Sequence, residues 1–358
     1  MTEKTTEVRV TGVQEYPIRV GRGIRFDAAE LLGDAQRVLI VHQPTLAAAA
    51  AELRESLADR FQVLLAEIPD AEAAKRVEVA AFCWQIMGQA DFTRSDAVIG
   101  FGGGAATDLA GFVAATWLRG VRLVQIPTTV LGMVDAAIGG KTGINTSEGK
   151  NLVGAFHAPA GVLCDLDTLE ALPRNDLLAG YAEIAKAGFI WAPEILDNLE
   201  RDLDGSTDPH SPVFRRNVEL AIDMKAKVVS EDFRETGLRE ILNYGHTLGH
   251  AIEHAERYQW RHGAAVSVGM VFAAELARLS GRLSDQVADR HRSILTSLTL
   301  PITYPVGRWQ MLLATMQRDK KARGSTLRFI VLDDLARPTV MRAPDPSLLF
   351  AAYQEVGS

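Results

Sequence analysis

Cysteine is nearly missing from this chain: Cys83 and Cys164 are the two in 358 residues, far apart and flanked by apolar neighbours. A disulfide-stapled fold is thereby excluded, and both are expected as reduced core thiols rather than as a bridge or a metal pair. Long hydrophobic runs are missing too. The longest apolar stretch, residues 264–274, falls short of the roughly 20 residues that span a bilayer. The opening MTEKTTE lacks the apolar core of a signal peptide. A cytoplasmic location with no membrane partner is the expectation. Positive charge is scarce in bulk, since 38 Lys and Arg face 45 Asp and Glu for a formal charge of −7. Neutralising a phosphate backbone needs a basic surface, so general nucleic-acid binding is excluded while local cationic sites are not. Internal repeats and low-complexity tracts are absent as well.

What is there reads as a globular chain. Hydrophobic residues make up 47% and charged residues 23%, ordinary proportions for a packed protein, and 358 residues exceed one usual core, so two domains are expected. The first half alternates β-rich apolar runs with helical periodicity, the pattern of a parallel sheet covered by helices. Strands are expected over 7–10, 16–20, 37–42, 61–68, 96–101, 121–126 and 162–166, and helices over 45–59, 71–90 and 106–117. Beyond Leu172 and Pro173 strand signals nearly vanish. Helical periodicity takes over with polar breaks at 202–212, 280–284 and 299–305, and 326–332 alone reads clearly as a strand. The expected organisation is an α/β Rossmann-like domain with a parallel sheet over residues 1–172, followed by a mainly α-helical domain over 173–358.

Residues 100–108, GFGGGAATD, fall where an apolar strand gives way to a helix. Glycine there lets backbone N–H groups approach a pyrophosphate, so a dinucleotide is the natural ligand and a plain tight turn the alternative. The acidic residue that ordinarily ends the next strand is missing, because that strand runs into Pro127, Thr128 and Thr129; this is not the standard Rossmann fingerprint. Asp108 either caps the helix or binds the cofactor. Glu72 and Lys75, spaced i,i+3, are either a solvated pair or ligands. In residues 133–157, MVDAAIGGKTGINTSEGKNLVGAFH, glycines accompany Lys141, Asn145, Lys150 and Asn151 among apolar neighbours. That composition describes a flexible, donor-rich loop suited to an anion such as phosphate.

The second half carries a different chemistry. Glu183 and Lys186, spaced i,i+3 in GYAEIAKAGFI, project from one helix face among apolar neighbours, where charges need a partner; a surface ion pair is the alternative. Lys225 interrupts the apolar stripe of Val218, Ile222 and Val229, either by snorkelling or by reaching a site. The segment ETGLREILNYGHTLGHAIEH (235–254) and the nearby His262 hold four of the eight histidines: His246, His250, His254 and His262. His246 and His250 lie i,i+4, a spacing that can set two imidazoles on one metal, with His262 and a carboxylate such as Glu183 completing the shell. Two histidines on a helix surface are the alternative. Arg239 and Asn243 precede His246 closely enough for a helix or tight turn to aim all three the same way. Asp319, Lys320 and Lys321 read by themselves as a solvated charge run.

With the glycine turn, PTT (127–129), VDAAIGGKTGIN (134–145), KNLVGAF (150–156), DLDTL (165–169), AEIAK (182–186), LNYGHTLGHA (242–251) and DKK (319–321) in this order, the chain resembles the 3-dehydroquinate synthases over nearly its whole length. These are sugar phosphate cyclases of the shikimate pathway. The resemblance implies a homodimeric, NAD- and zinc-dependent lyase (Co2+ being the other candidate metal), acting on a small phosphorylated sugar acid. NAD would oxidise the C5 hydroxyl, phosphate would leave by β-elimination, the hydride would return, and ring opening with aldol closure would give 3-dehydroquinate.

Carried over by position, Glu183, His246 and His262 are the implied metal ligands, which displaces His250 from the shell that bare spacing suggested. Asp70, Glu72, Lys75, Gly103, Gly104, Ala105, Asp108, Thr128, Thr129, Lys141, Lys150, Thr168 and Leu169 are implied around NAD. Arg119, Lys141, Asn151, Lys186, Lys225, Arg239, Asn243, His250, Lys320 and Lys321 are implied around the substrate, with Asp135 beside the reacting centre. Three departures stand out. His42, Gln43 and Pro44 replace the Asp or Asn that reaches the adenosine ribose in many relatives. Ala105 and Ala106 replace branched residues, and Ala171 replaces a threonine. The competing readings are another sugar phosphate cyclase, a metal-dependent polyol dehydrogenase, and a catalytically silent NAD- and zinc-binding module. The dehydrogenase has no need of Lys141, Lys186, Lys225 and Arg239 for phosphate and carboxylate. The silent module would show a lost ligand or cation, and every one is in place.

Overall fold

A computed structural model describes residues 4–12, 14–323 and 326–358. The chain divides into two compact units, residues 1–172 with 225–234, and residues 173–224 with 235–358. Residues 225–234, expected in the second domain, therefore belong to the first. Among the described residues, no helix is long and apolar enough to cross a membrane.

In the first unit, strands β1 (Thr6–Val10), β2 (Tyr16–Gly21), β3 (Arg37–His42), β4 (Gln62–Glu67), β5 (Ala97–Gly102), β6 (Arg122–Pro127) and β9 (Gly161–Asp165) form one sheet in the order β1-β2-β9-β6-β5-β3-β4. The sheet is parallel except for β1 against β2. Its middle strands read as unbroken apolar runs because both faces are covered. Alternate residues of β3 serve opposite faces. Val38 and Ile40 pack with helix α1 (Ala47–Leu57), through Leu53 and Leu57. Leu39 and Val41 pack with α2 (Val77–Gln89) and α3 (Gly104–Thr116), through Cys83, Met87, Leu109 and Val113. Each such Leu, Ile or Val removed from water contributes on the order of 1.5–3 kcal/mol. From β3 the chain goes to β4 on one side and then to β5 on the other, so the order reverses between β3 and β5, where open α/β sheets bind ligands.

Two expectations fail here. The helix expected over 71–90 is a 3-10 turn at Ala71–Ala74 followed by α2, because Arg76 is extended (φ −111°, ψ 149°) and the Lys75 carbonyl accepts from Asn145 N–H at 2.7 Å instead of continuing a helix. Within the flexible loop expected over 133–157, residues 141–156 are an antiparallel pair, β7 (Lys141–Thr146) with β8 (Gly149–Phe156). Gly143 faces Gly154 across it, and a Cβ on Gly154 would lie 2.2 Å from the Thr142 carbonyl oxygen. Glycine here permits close strand pairing.

The second unit contains α4 (Arg174–Ile190), α5 (Glu194–Arg201), α6 (Leu203–Thr207), α7 (Pro212–Glu231, whose end from Lys225 counts with the first unit), α8 (His246–Ala255), α9 (His262–Leu279), α10 (Asp285–Ser297), α11 (Trp309–Arg323) and α12 (Pro346–Glu355). An antiparallel hairpin, β10 (Arg328–Asp334) with β11 (Arg337–Arg342), adds a strand that was not foreseen, since Pro338 and flanking arginines hide its pattern. Helix α9 is apolar and buried on nearly all sides. Its neighbours come backbone-close. A Cβ on Gly263 would lie 1.7 Å from the Ala179 carbonyl oxygen, and one on Gly269 would lie 1.8 Å from that of Gly245. Those approaches hold the start of α9, the middle of α4 and the start of α8 together.

Candidate active site

That packing places three ligating side chains at one point. Glu183 comes from the middle of α4, His246 opens α8 and His262 opens α9. The turn into α8 needs Gly245 at φ +77°, where a Cβ would press on the Met270 amide and Val266 carbonyl at 2.9 Å. The ligand atoms of Glu183, His246 and His262 all lie within 4.8 Å of one another. Glu183 Oε1 is 3.6 Å from His246 Nε2 and 3.4 Å from His262 Nε2. Each ring is aimed by its other nitrogen, with His246 Nδ1 3.0 Å from the Tyr244 carbonyl oxygen and His262 Nδ1 3.3 Å from Glu253 Oε2. Two imidazoles and a carboxylate, each oriented from behind, are a donor set that fits a catalytic zinc with one position left for substrate.

The electrostatics agree with that fit. Burial and the adjacent Lys186 ammonium push His246 down to about 3, so it stays neutral. At His262 burial opposes the charge, but hydrogen bonds with Glu183 and Glu253 outweigh it and raise the group to about 10. Positive charge is thus favoured between these carboxylates. Lys186 pairs with Glu183 and donates to the Leu242 carbonyl at 2.7 Å. His250 is exposed and stands in a second, overlapping trio with Glu253 and His262. Arg239 is buried on the 3-10 turn Leu238–Asn243, and Asn243 donates to Glu235 at 2.9 Å. The side chains of Lys320 and Lys321 lie outside the described residues.

In the first unit the end of β5 forms a cradle. No side chain caps the N-terminus of α3, so its first N–H groups are not spent on a cap. A Cβ on Gly103 would meet Thr129 Cγ2 at 3.2 Å, and one on Gly104 would meet Ala136 Cβ at the same distance. Backbone groups are therefore accessible where side chains would crowd, which fits a dinucleotide pyrophosphate. Gln43, just past β3, accepts the Gly103 N–H at 3.1 Å across the point where strand order reverses. The Thr128 N–H donates to the Gly102 carbonyl at 3.0 Å, and Thr129 Oγ1 accepts from Gly132 at 3.0 Å.

Asp108 is no helix cap. It pairs with the buried Lys75 at 2.5 Å, and burial raises its pKa even with that partner. Lys75 also donates to Asn151, while Glu72 takes Asn145 at 2.6 Å and Lys150 at 3.0 Å. Glu72 and Lys75 thus bind the β7–β8 hairpin rather than forming a solvated pair. Lys225 bonds both the backbone oxygen and the carboxylate of Asp135. Thr168 donates to the Asp165 carbonyl at 2.7 Å and Leu169 is buried, whereas Asp70, Arg119 and Lys141 are exposed and Ala105 is partly buried. Sequence reasoning named Gln43 only as a departure near the ribose, and missed Tyr244 and Glu253. Glu253 alone left a signal, seven residues beyond His246 on one helix stripe.

Comparison with known proteins accords with this arrangement. The profile of the 3-dehydroquinate synthase N-terminal domain matches residues 65–179, and that of the C-terminal domain matches residues 180–322. The chain is 74% identical over 359 residues to a 3-dehydroquinate synthase from Leifsonia xyli subsp. xyli, with 100% of each covered. It is 62% identical over 363 residues to one from Arthrobacter sp. strain FB24, again with 100% of each covered. Among solved structures it is similar to 2-epi-5-epi-valiolone synthase from Streptomyces hygroscopicus subsp. jinggangensis with NAD+ and Zn2+ bound, at 26% identity and a TM-score of 0.88, covering 98% of this chain and 99% of that one. Matched by both domain profiles and by relatives along its full length, the chain belongs to the 3-dehydroquinate synthase family.

Proposed function

We propose that this lyase converts 3-deoxy-D-arabino-heptulosonate 7-phosphate to 3-dehydroquinate and phosphate, with NAD as a recycled catalyst and one divalent metal, zinc or cobalt, on Glu183, His246 and His262. The observation that carries the reading is that trio, two buried or half-buried imidazoles aimed at one carboxylate. When bound, the dinucleotide takes up and returns a hydride while the metal acidifies the alcohol being oxidised. The Gly103–Gly104 turn and the start of α3 would hold the pyrophosphate. Lys225 and Asp135, in direct contact, can hold and pass a proton. Arg239 offers a planar fork to the substrate's carboxylate. Arg119, Asn151, Lys186, Asn243 and His250 are the remaining polar groups assigned to substrate, the cations among them favouring a departing phosphate. The exposed Leu152, Val153 and Phe156 on β8 suit a homodimer contact, which sedimentation would test. A cytoplasmic location accords with such biosynthetic chemistry.

The test is to incubate the purified protein with the heptulosonate phosphate, with and without NAD. Phosphate release is expected to require NAD while NADH absorbance stays flat, since substrate and product share a net oxidation level. NADH accumulating one for one with product would instead support a dehydrogenase.

A further inference from the structure

We propose that Glu253 is a positioning residue for the metal trio, its carboxylate fixing the tautomer and ring orientation of His262. The inference rests on the reading of Glu183, His246 and His262 as a metal site. Glu253 lies two helical turns beyond His246 on α8, so one helix carries both a ligand at its start and this carboxylate on the same stripe. Its Oε2 sits 3.3 Å from His262 Nδ1, and the opposite nitrogen, Nε2, sits 3.4 Å from Glu183 Oε1. An imidazole whose Nδ1–H is committed to an acceptor presents the lone pair of Nε2 outward, toward the other ligands.

The two histidines are not equally dependent on such help. His246 is aimed by the Tyr244 carbonyl, a backbone acceptor, and its side chain is 11% exposed. His262 has a side-chain acceptor and is 23% exposed. It also follows a turn in which Arg257 and Tyr258 both hold positive φ, 50° and 60°. Packing fixes it less, so its orientation rests more on Glu253. In the overlapping trio of His250, Glu253 and His262, Glu253 would ligate directly. That arrangement pairs it with an exposed histidine, whereas Glu183 and His246 are buried, and the buried set is favoured.

Zinc and cobalt(II) affinities of the full chain, measured by competition with a chromophoric chelator, test the role. Glu253→Gln keeps an acceptor at the right reach and is expected to bind within about threefold of the parent. Glu253→Asp keeps the charge but withdraws it by one methylene, and is expected to lose about 10- to 100-fold, as orienting partners of metal-bound histidines do. NAD affinity should be unchanged in both. Retention by Glu253→Asp would overturn the proposal. So would loss by Glu253→Gln with an altered cobalt(II) absorption spectrum, which would make Glu253 a direct ligand. Run alongside, a parent that takes up no metal overturns the trio itself, so the two failures are distinguishable.

Discussion

At the end of β5, ligand approach is governed by backbone: Gly103 and Gly104 keep Cβ atoms away from Thr129 and Ala136, and α3 begins uncapped. At the starts of α8 and α9 it is governed by side chains, three of them meeting within 4.8 Å, each set on a helix that glycines let pack backbone-close. The cofactor cradle is therefore expected to tolerate changes that keep its backbone path and to fail by small additions of volume. The metal trio should fail by loss of a single functional group and be indifferent to the cradle.

The most severe break expected is Glu183→Ala. Metal stoichiometry should fall to near zero and turnover by several kcal/mol, on the order of a thousandfold or more, with NAD affinity intact. Elemental analysis beside an NAD titration reads both, and coupled loss would erase the contrast between the units.

Next comes His291, a fully buried histidine stacked on Phe189 at 3.7 Å and held between the Tyr244 hydroxyl at 2.9 Å and the Val287 carbonyl at 2.7 Å. Burial lowers it from 6.5 to about 4. Below pH 6.5 the unfolded chain binds a proton that the folded chain refuses until about pH 4, so stability is full above 6.5 and declines across that window. The total is about 3 kcal/mol at about 1.4 kcal/mol per unit. Denaturant unfolding of His291→Asn should show a shallower decline between those pH values, and equal slopes in parent and variant would refute the assignment.

Arg239→Lys keeps a charge but loses the fork, and kcat/KM should fall by about 1–3 kcal/mol with metal and NAD binding unchanged. Undiminished turnover would remove the carboxylate role and reopen the choice among sugar phosphate cyclases. Gly103→Ala is the mildest test. Its backbone (φ −71°, ψ −177°) admits alanine, so melting should hardly move, while the added methyl near Thr129 should weaken NAD by about 1 kcal/mol, roughly fivefold. A drop in stability without a drop in affinity would mean that the glycine serves packing.

The same contrast explains what could be read before any coordinates. The central strands were legible because residues such as Val38 to Val41 are buried on both faces and leave an unbroken apolar run. The β7–β8 hairpin was not, because the facing Gly143 and Gly154 look like flexibility in one dimension and become close pairing only in three. The break at Lys75 and Arg76 carries no glycine or proline, and goes with the Lys75 carbonyl taking the Asn145 amide, a partner 70 residues on. Local spacing offered His246 with His250, but Glu183 and His262 come from other helices, a convergence that helix periodicity cannot express. The clustering of histidines and the helix-borne carboxylate already offered His262 and Glu183 to complete the shell, and the family resemblance removed His250 from it.

The segment 225–234 bears on how the molecule is made. It counts with the first unit, where Lys225 bonds Asp135, the Ser230 hydroxyl accepts the Thr11 amide at 2.9 Å, and Phe233 rests on Phe156 at 5.7 Å. A chain leaving the ribosome folds its early domain first when that domain is contiguous. Here Thr11, Asp135 and Phe156 acquire these partners only after residues 173–224, with α4, α5, α6 and most of α7, have been translated. A nascent chain arrested at residue 172 holds every strand of the main sheet yet lacks the piece that completes it.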